Sequence, residues 1–98
     1  MPTLEYRMLD EEELLAGLES LPGWAVEGGE ISKAFSFKTY KDGLVFAAAV
    51  GHLADRLNHH PDLFVGYGKV RVAVSTHAVK GLSPFDLELA RRIESILA

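Results

Sequence analysis

Residues 24–38 have the sequence WAVEGGEISKAFSFK, which predicts a β-hairpin. Gly28 and Gly29 can both take a positive φ at little cost, so the pair predicts a two-residue hairpin turn. The two strands are expected over residues 24–27 and 30–38. The second strand alternates between two faces, one with Ile31, Lys33, Phe35 and Phe37, the other with Ser32, Ala34 and Ser36. This alternation suits a sheet that is buried on one side.

The rest of the chain predicts a second hairpin and three helices. Residues 63–67 and 69–76 are expected to form two more strands, with a glycine-containing turn between them. Apolar residues at helical spacing predict helices over residues 10–21, 39–58 and 83–97. The order α-β-β-α-β-β-α indicates an α+β fold, with a four-stranded antiparallel sheet and three helices packed on one face.

Each predicted helix begins with residues that can satisfy the free amides of its first turn. The capping groups are Asp10 with Glu13, Thr39 with Asp42, and Ser83 with Pro84 and Asp86. The second helix is expected to turn its apolar stripe inward, namely Phe46, Val50, Leu53 and Leu57.

Composition limits the class of protein. The 98 residues suit one domain over 1–98, and 48% hydrophobic with 24% charged residues is typical of a globular chain. A net charge of −4 argues against nucleic acid as a partner, and the absence of cysteine excludes disulfides and thiolate catalysis. The N-terminal residues lack the features of a signal peptide, and no apolar run approaches the roughly 18 residues of a membrane span. We expect a cytoplasmic protein without a membrane partner.

Histidine is the residue type most suited to proton transfer near neutral pH. His59 and His60 lie where the second helix is expected to end, and His77 where the fourth strand ends. Asp55 precedes His59 by four residues, so a helix that reached His59 would place both on one face. A carboxylate there would fix the tautomer of the imidazole, and Asp86 could do the same for a neighbouring group.

Each of these residues also has a purely structural interpretation. His52 is expected to be a surface or packing residue, Asp55 alone suits a solvated helix position, and Asp86 alone suits helix capping. Adjacent His59 and His60 normally diverge, and no H-E-x-x-H spacing occurs, so no metal site is predicted. No G-x-S-x-G elbow or glycine-rich phosphate loop is present either.

The spacing of these residues resembles the signature of the pterin-4a-carbinolamine dehydratase family. The resemblance rests on Asp55, His59-His60-Pro61, Tyr67, Thr76-His77, Gly81-Leu82-Ser83 and Asp86. It implies the fold predicted above. It also implies dehydration of 4a-hydroxytetrahydrobiopterin to quinonoid dihydrobiopterin, which recycles a pterin, with no metal or organic cofactor.

The resemblance further implies which residues form the site. The catalytic set would be His59, His60, His77 and Asp55, with Asp86 in a supporting role. Pterin contacts would come from Asn58, His59, His60, Pro61, Ser75, Thr76 and His77. We place His59 and His77 in the proton-transfer roles and His60 in substrate orientation.

The resemblance also implies self-association, as a homodimer or homotetramer. Three alternatives stay open at this point: a non-catalytic interaction module with the same fold, a dehydratase of another pterin-like compound, and a side role in molybdopterin metabolism.

Overall fold

The structure is a computed structural model that describes residues 4–97; residues 1–3 and 98 of the expected domain lie outside it. Its elements follow the predicted order. They are α1 (Glu11–Glu19), β1 (Ala25–Glu27), β2 (Glu30–Ser36), α2 (Tyr40–Leu57), β3 (Asp62–Gly66), β4 (Lys69–Val74), a 3₁₀ turn (His77–Val79) and α3 (Pro84–Ile96).

All four strands are antiparallel and lie in the order β1-β2-β4-β3. Gly28 and Gly29 have φ values of 61° and 80°, which confirms the turn of the first hairpin. The two hairpins join through β2 and β4, where Ile31 faces Val74 across the ladder. Because β4 lies between β2 and β3, residues 75–77 leave the sheet from an interior strand.

The core lies on one face of the sheet and confirms the predicted α+β architecture. Valines of β4 and the large side chains of β2 are buried there together with apolar residues of α2 and α3, and α1 contributes from the edge. The fully buried side chains of this cluster include Leu21, Ile31, Val50, Val70, Val72, Leu89 and Ile93. The helices therefore cover one face, and the other carries residues such as Ala34 and Phe64, which are exposed.

The predicted caps are present, and the element ends differ slightly from expectation. Asp10 with Glu13 and Ser83 with Asp86 form capping boxes, and Thr39 accepts a hydrogen bond from the amide of Asp42. α2 turns Ala54 into the core, while Leu53 and Leu57 are only partly buried, because its buried face follows Phe46, Val50 and Ala54.

β4 stops at Val74 rather than at residue 76. The cause is a bridge between Thr76 and Gly81, in which the Thr76 amide donates to the Gly81 carbonyl at 2.7 Å. The bridge closes a short loop, so that His77 begins a 3₁₀ turn instead of continuing the strand.

Candidate active site

The C-terminus of α2 separates the two adjacent histidines. Asn58 takes the left-handed conformation, with φ 53° and ψ 43°, and its amide donates to the carbonyls of Ala54 and Asp55. The His59 amide also returns to the Ala54 carbonyl, at 3.1 Å. This cap ends the helix and reverses the chain direction. As a result His59 is buried, whereas the neighbouring His60 is exposed.

His59 is hydrogen-bonded to Asp86 across the fold. The distance from His59 Nε2 to Asp86 Oδ1 is 2.6 Å. Asp86 is the third residue of α3 and has no exposed surface. Its second oxygen, Oδ2, accepts the Ser83 amide at 2.9 Å, so the same carboxylate caps α3 and holds the imidazole. Both interpretations of Asp86 in the sequence, capping and support of a histidine, are therefore combined in one side chain.

A buried chain of hydroxyls completes the surroundings of Asp86. The Thr76 hydroxyl donates to Asp86 Oδ2 at 2.7 Å, so it must accept the Ser83 hydroxyl, whose oxygen lies 2.7 Å away. Ser83 Oγ in turn accepts the Phe85 amide at 3.2 Å. The Asp86 carboxylate therefore accepts three hydrogen bonds, from the Thr76 hydroxyl, the Ser83 amide and His59 Nε2.

This arrangement decides which nitrogen of His59 can act on a ligand. A carboxylate only accepts, so Nε2 carries the proton that lies between His59 and Asp86. No described residue hydrogen-bonds Nδ1, and no buried side-chain nitrogen or oxygen in residues 4–97 lacks a partner. Nδ1 is therefore accessible, and in the neutral ring it is an acceptor of protons.

The structure corrects the expected partner of Asp55. Asp55 was expected beside His59, but its Oδ1 lies 2.8 Å from Nε2 of His60. Because α2 ends at Leu57 and Asn58 takes a left-handed conformation, the helical i, i+4 geometry does not reach His59. Both partners of the Asp55–His60 pair are largely exposed.

Most of the predicted site residues line an open cleft of about 320 Å³. Its lining consists of Tyr6, Asn58, His59, His60, Ser75, Thr76, His77 and Ala78. His77 stands at the start of the 3₁₀ turn and is exposed. Asp86 lies behind His59, and neither Pro61 nor Asp55 belongs to the lining. A larger groove of about 480 Å³ lies between α1 and α3, but no histidine lines it.

Two features of the cleft were missed from the sequence. Tyr6 lies in the segment before α1, where no periodic pattern marks it. The sequence also did not predict that the Ser83 hydroxyl, besides capping α3, belongs to the buried network around Asp86. The sequence does contain a signal for this network. The capping box of Ser83 has Asp86 rather than Glu at its third helical position, and it follows shortly after His77.

Residues 4–97 contain no group of three His, Asp or Glu side chains arranged to hold a metal ion. Within the same residues, no helix has the length and apolar character needed to span a membrane.

The chain is similar to proteins that carry a family name. A Sulfurisphaera tokodaii protein named after the pterin-4-alpha-carbinolamine dehydratases is 37% identical over 91 residues, which cover 93% of this chain and 98% of the relative. A Nitrosospira multiformis protein with the same family name is 41% identical, covering 90% of this chain and 78% of the relative.

A solved structure is also similar. The transcriptional coactivator/pterin dehydratase from Brucella melitensis superposes with a TM-score of 0.88 at 33% identity, covering 94% of this chain and 100% of that one. The family model described as pterin 4 alpha carbinolamine dehydratase matches residues 7–96. With nearly its whole length matched, the chain belongs to the pterin-4a-carbinolamine dehydratase family.

Proposed function

We propose that the protein dehydrates a 4a-hydroxytetrahydropterin, with 4a-hydroxytetrahydrobiopterin as the substrate and quinonoid dihydrobiopterin as the product. The observation that carries the proposal is the buried His59–Asp86 pair, at 2.6 Å, in the wall of a cleft that His60 and His77 also line. Family membership supplies the reaction class. The histidines supply groups that can perform it near neutral pH.

The reaction requires two proton transfers. The C4a–oxygen bond breaks as the hydroxyl leaves with an added proton, and N5 loses its proton as the C4a–N5 double bond forms. One general acid and one general base suffice, each typically worth about 10²–10⁴-fold in rate. We assign these roles to His59, acting through Nδ1, and His77. The elimination of water is redox-neutral, so it needs no redox cofactor.

The remaining residues bind or support. Asn58 and Ser75 line the cleft and Pro61 directly follows His60; all three are assigned to pterin contacts, while His60, held by Asp55, orients the substrate. Thr76 has a supporting role in this proposal. Its hydroxyl donates to Asp86, and its amide and carbonyl are bonded within the 76–81 loop.

The direct test is a comparison of histidine variants with synthetic 4a-hydroxytetrahydropterin, followed by ultraviolet absorbance after subtraction of the spontaneous reaction. His59→Ala and His77→Ala should each lose about 10²–10⁴-fold of the catalysed rate. The double variant should lose little more than the worse single one, because groups that act as a unit are not additive.

His52→Ala is the matched control, since His52 lies on the exposed side of α2, away from the cleft. It should keep the wild-type rate. If both His59→Ala and His77→Ala also kept that rate, the mechanism would be wrong. A wild-type protein with no activity above the spontaneous reaction would favour the non-catalytic interaction module instead.

A further inference from the structure

Tyr6 lines the cleft from a segment that none of the proposed roles includes. The segment precedes α1 and belongs to no helix or strand. It is nevertheless anchored by the residues that directly follow Tyr6. The Arg7 guanidinium forms two hydrogen bonds with the Glu13 carboxylate, at 2.8 and 2.6 Å, and the Leu9 amide donates to the Leu82 carbonyl at 2.8 Å.

One face of the Tyr6 ring packs against the ring of Phe85. The Tyr6 and Phe85 rings lie 4.3 Å apart at an interplanar angle of 18°, which is a parallel stack. Phe85 contacts the His59 imidazole in turn, with ring centroids 5.5 Å apart. Tyr6 is 54% exposed even so, which leaves the rest of its ring free. The Tyr6 ring and the His59 imidazole therefore both pack against Phe85.

The chemistry of a pterin suits such a ring. An oxidised pterin such as biopterin is a flat bicycle with hydrogen-bonding groups at its edges and a π surface on each face. In a 4a-hydroxytetrahydropterin, C4a is tetrahedral, but the guanidine-containing part of the pyrimidine ring is still planar and conjugated. The histidines, Asn58 and Ser75 offer polar groups for the edges. Among the described lining residues, Tyr6 is the one with a carbocyclic aromatic ring, and such rings bind flat heterocycles by offset stacking.

We propose that Tyr6 is a pterin-binding residue, whose ring provides the surface on which the bicyclic ring of the substrate stacks beside His59. The inference rests on the proposed function and adds a specificity-determining group to it. Stacking contributes equally to the bound substrate and the transition state, so it acts on KM more than on kcat. Its phenol hydroxyl is not required for this role.

The test uses biopterin, a stable and fluorescent oxidised pterin, with the full-length protein. Tyr6→Ala and Tyr6→Leu should raise the Kd for biopterin about tenfold, whereas Tyr6→Phe should stay within about twofold of the wild type. The upfield NMR shift of the biopterin C7 proton on binding should decrease in the Ala and Leu variants and persist in Tyr6→Phe. KM should rise in the same variants more than kcat falls.

Tyr40→Ala is the matched control, because Tyr40 is 47% exposed and also stacks on an aromatic ring, that of Tyr67, outside the cleft. Its Kd and C7 shift should equal those of the wild type. Wild-type Kd and C7 shift in Tyr6→Ala and Tyr6→Leu would refute the role of Tyr6 and leave the dehydratase proposal standing. A wild-type protein that neither binds biopterin nor accelerates dehydration would refute both.

Discussion

Asp86 divides its two oxygens between the cap of α3 and the imidazole of His59. Oδ2 accepts the Ser83 amide and the Thr76 hydroxyl, and Oδ1 accepts Nε2 of His59. Removal of the whole carboxylate would leave three buried donors without a partner, at a cost of about 1–3 kcal/mol for each unsatisfied group. Asp86→Ala is therefore a test of stability, and a subtler change is needed to isolate its effect on His59.

Asp86→Asn isolates that effect. The amide oxygen can still accept from Ser83 and Thr76, but the amide nitrogen then donates to His59, so the neutral ring must carry its proton on Nδ1 instead of Nε2. We expect the catalysed dehydration rate to fall about 10²–10⁴-fold, the usual contribution of a general acid or base. Nitrogen NMR of His59 should show the exchanged tautomer.

Asp42→Asn is the control for Asp86→Asn, since Asp42 is an acid in the first turn of α2 and is exposed. It should alter neither the rate nor the tautomer. A wild-type rate in Asp86→Asn, together with the exchanged tautomer, would show that the protonation of His59 does not matter for catalysis.

Asp55→Ala should have a different profile. The Asp55–His60 pair is exposed, and ion pairs of that kind contribute about 0–1 kcal/mol to stability, so the melting temperature should change little. Because Asp55 holds His60 rather than His59, we expect a raised KM and a smaller loss of rate than in Asp86→Asn. Steady-state kinetics with both variants would check this, and a rate loss in Asp55→Ala as large as in Asp86→Asn would contradict it.

At the scale of the elements, α1 begins with a charged cluster that responds to pH. Hydrogen bonds from Arg7 and the Asp10 amide lower the pKa of Glu13 to about 2 from its usual 4.5, and the same carboxylate raises the pKa of Arg7. A carboxylate with a depressed pKa stabilises the fold above about pH 4.5, and that contribution is lost as the pH falls towards 2.

Arg7→Met should therefore raise the pKa of Glu13 towards 4.5, as measured by carbon NMR of its carboxyl group during an acid titration. The control is Arg71→Met, which removes an arginine paired with Glu30 in the sheet. That variant should leave the Glu13 pKa near 2. A Glu13 that still titrates near 2 in Arg7→Met would show that Arg7 is not the cause of the shift.

The contact between α1 and α3 depends on a glycine. A Cβ added at Gly17 would lie 2.6 Å from Cδ1 of Leu87, a buried side chain of α3, whereas a Cβ at Gly51 of α2 would meet nothing within 4 Å. Replacement of an unhindered helical glycine by alanine stabilises a protein by about 0.5–1 kcal/mol. Overpacking costs about 1–3 kcal/mol.

We therefore expect Gly51→Ala to raise the free energy of unfolding by about 0.5–1 kcal/mol. The free energy of unfolding of Gly17→Ala should be about 1–3 kcal/mol lower than that of Gly51→Ala. Urea unfolding of both variants measures the difference. Equal stabilisation by the two substitutions would mean that α3 moves away from α1 without cost.

At the scale of the whole molecule, self-association is still a prediction. The exposed side of α2 carries Leu44 and Val45, which are 43% and 61% exposed, and apolar surface of this kind often marks a protein interface. We expect light scattering to give two or four times the mass of one chain, and Val45→Lys to lower it. Leu15→Lys on α1, at a residue that is 58% exposed, is the control. A wild-type monomer would contradict the prediction.

Local sequence patterns predict the elements, and most of their ends to within one residue. Alternation in β2, the Gly28-Gly29 turn and the capping residues act over four residues or fewer, and the structure contains all of them. The three histidines of the candidate site were also found from the sequence, because their spacing with Pro61 and Asp86 is distinctive. The turn, the alternation and the caps depend only on neighbours along the chain, so they are readable without the fold, whereas the histidine set was identified through the family resemblance.

The tertiary structure alone decided the partners. His59 and Asp86 are 27 residues apart, and they meet only after β2 pairs with β4 and α3 returns across the sheet. The left-handed conformation of Asn58 likewise ends the helix before His59, so Asp55 pairs with His60 instead. Tyr6 reaches the cleft through its stack on Phe85, 79 residues along the chain. Contacts at such separations are set by packing of the whole core, which local patterns do not encode.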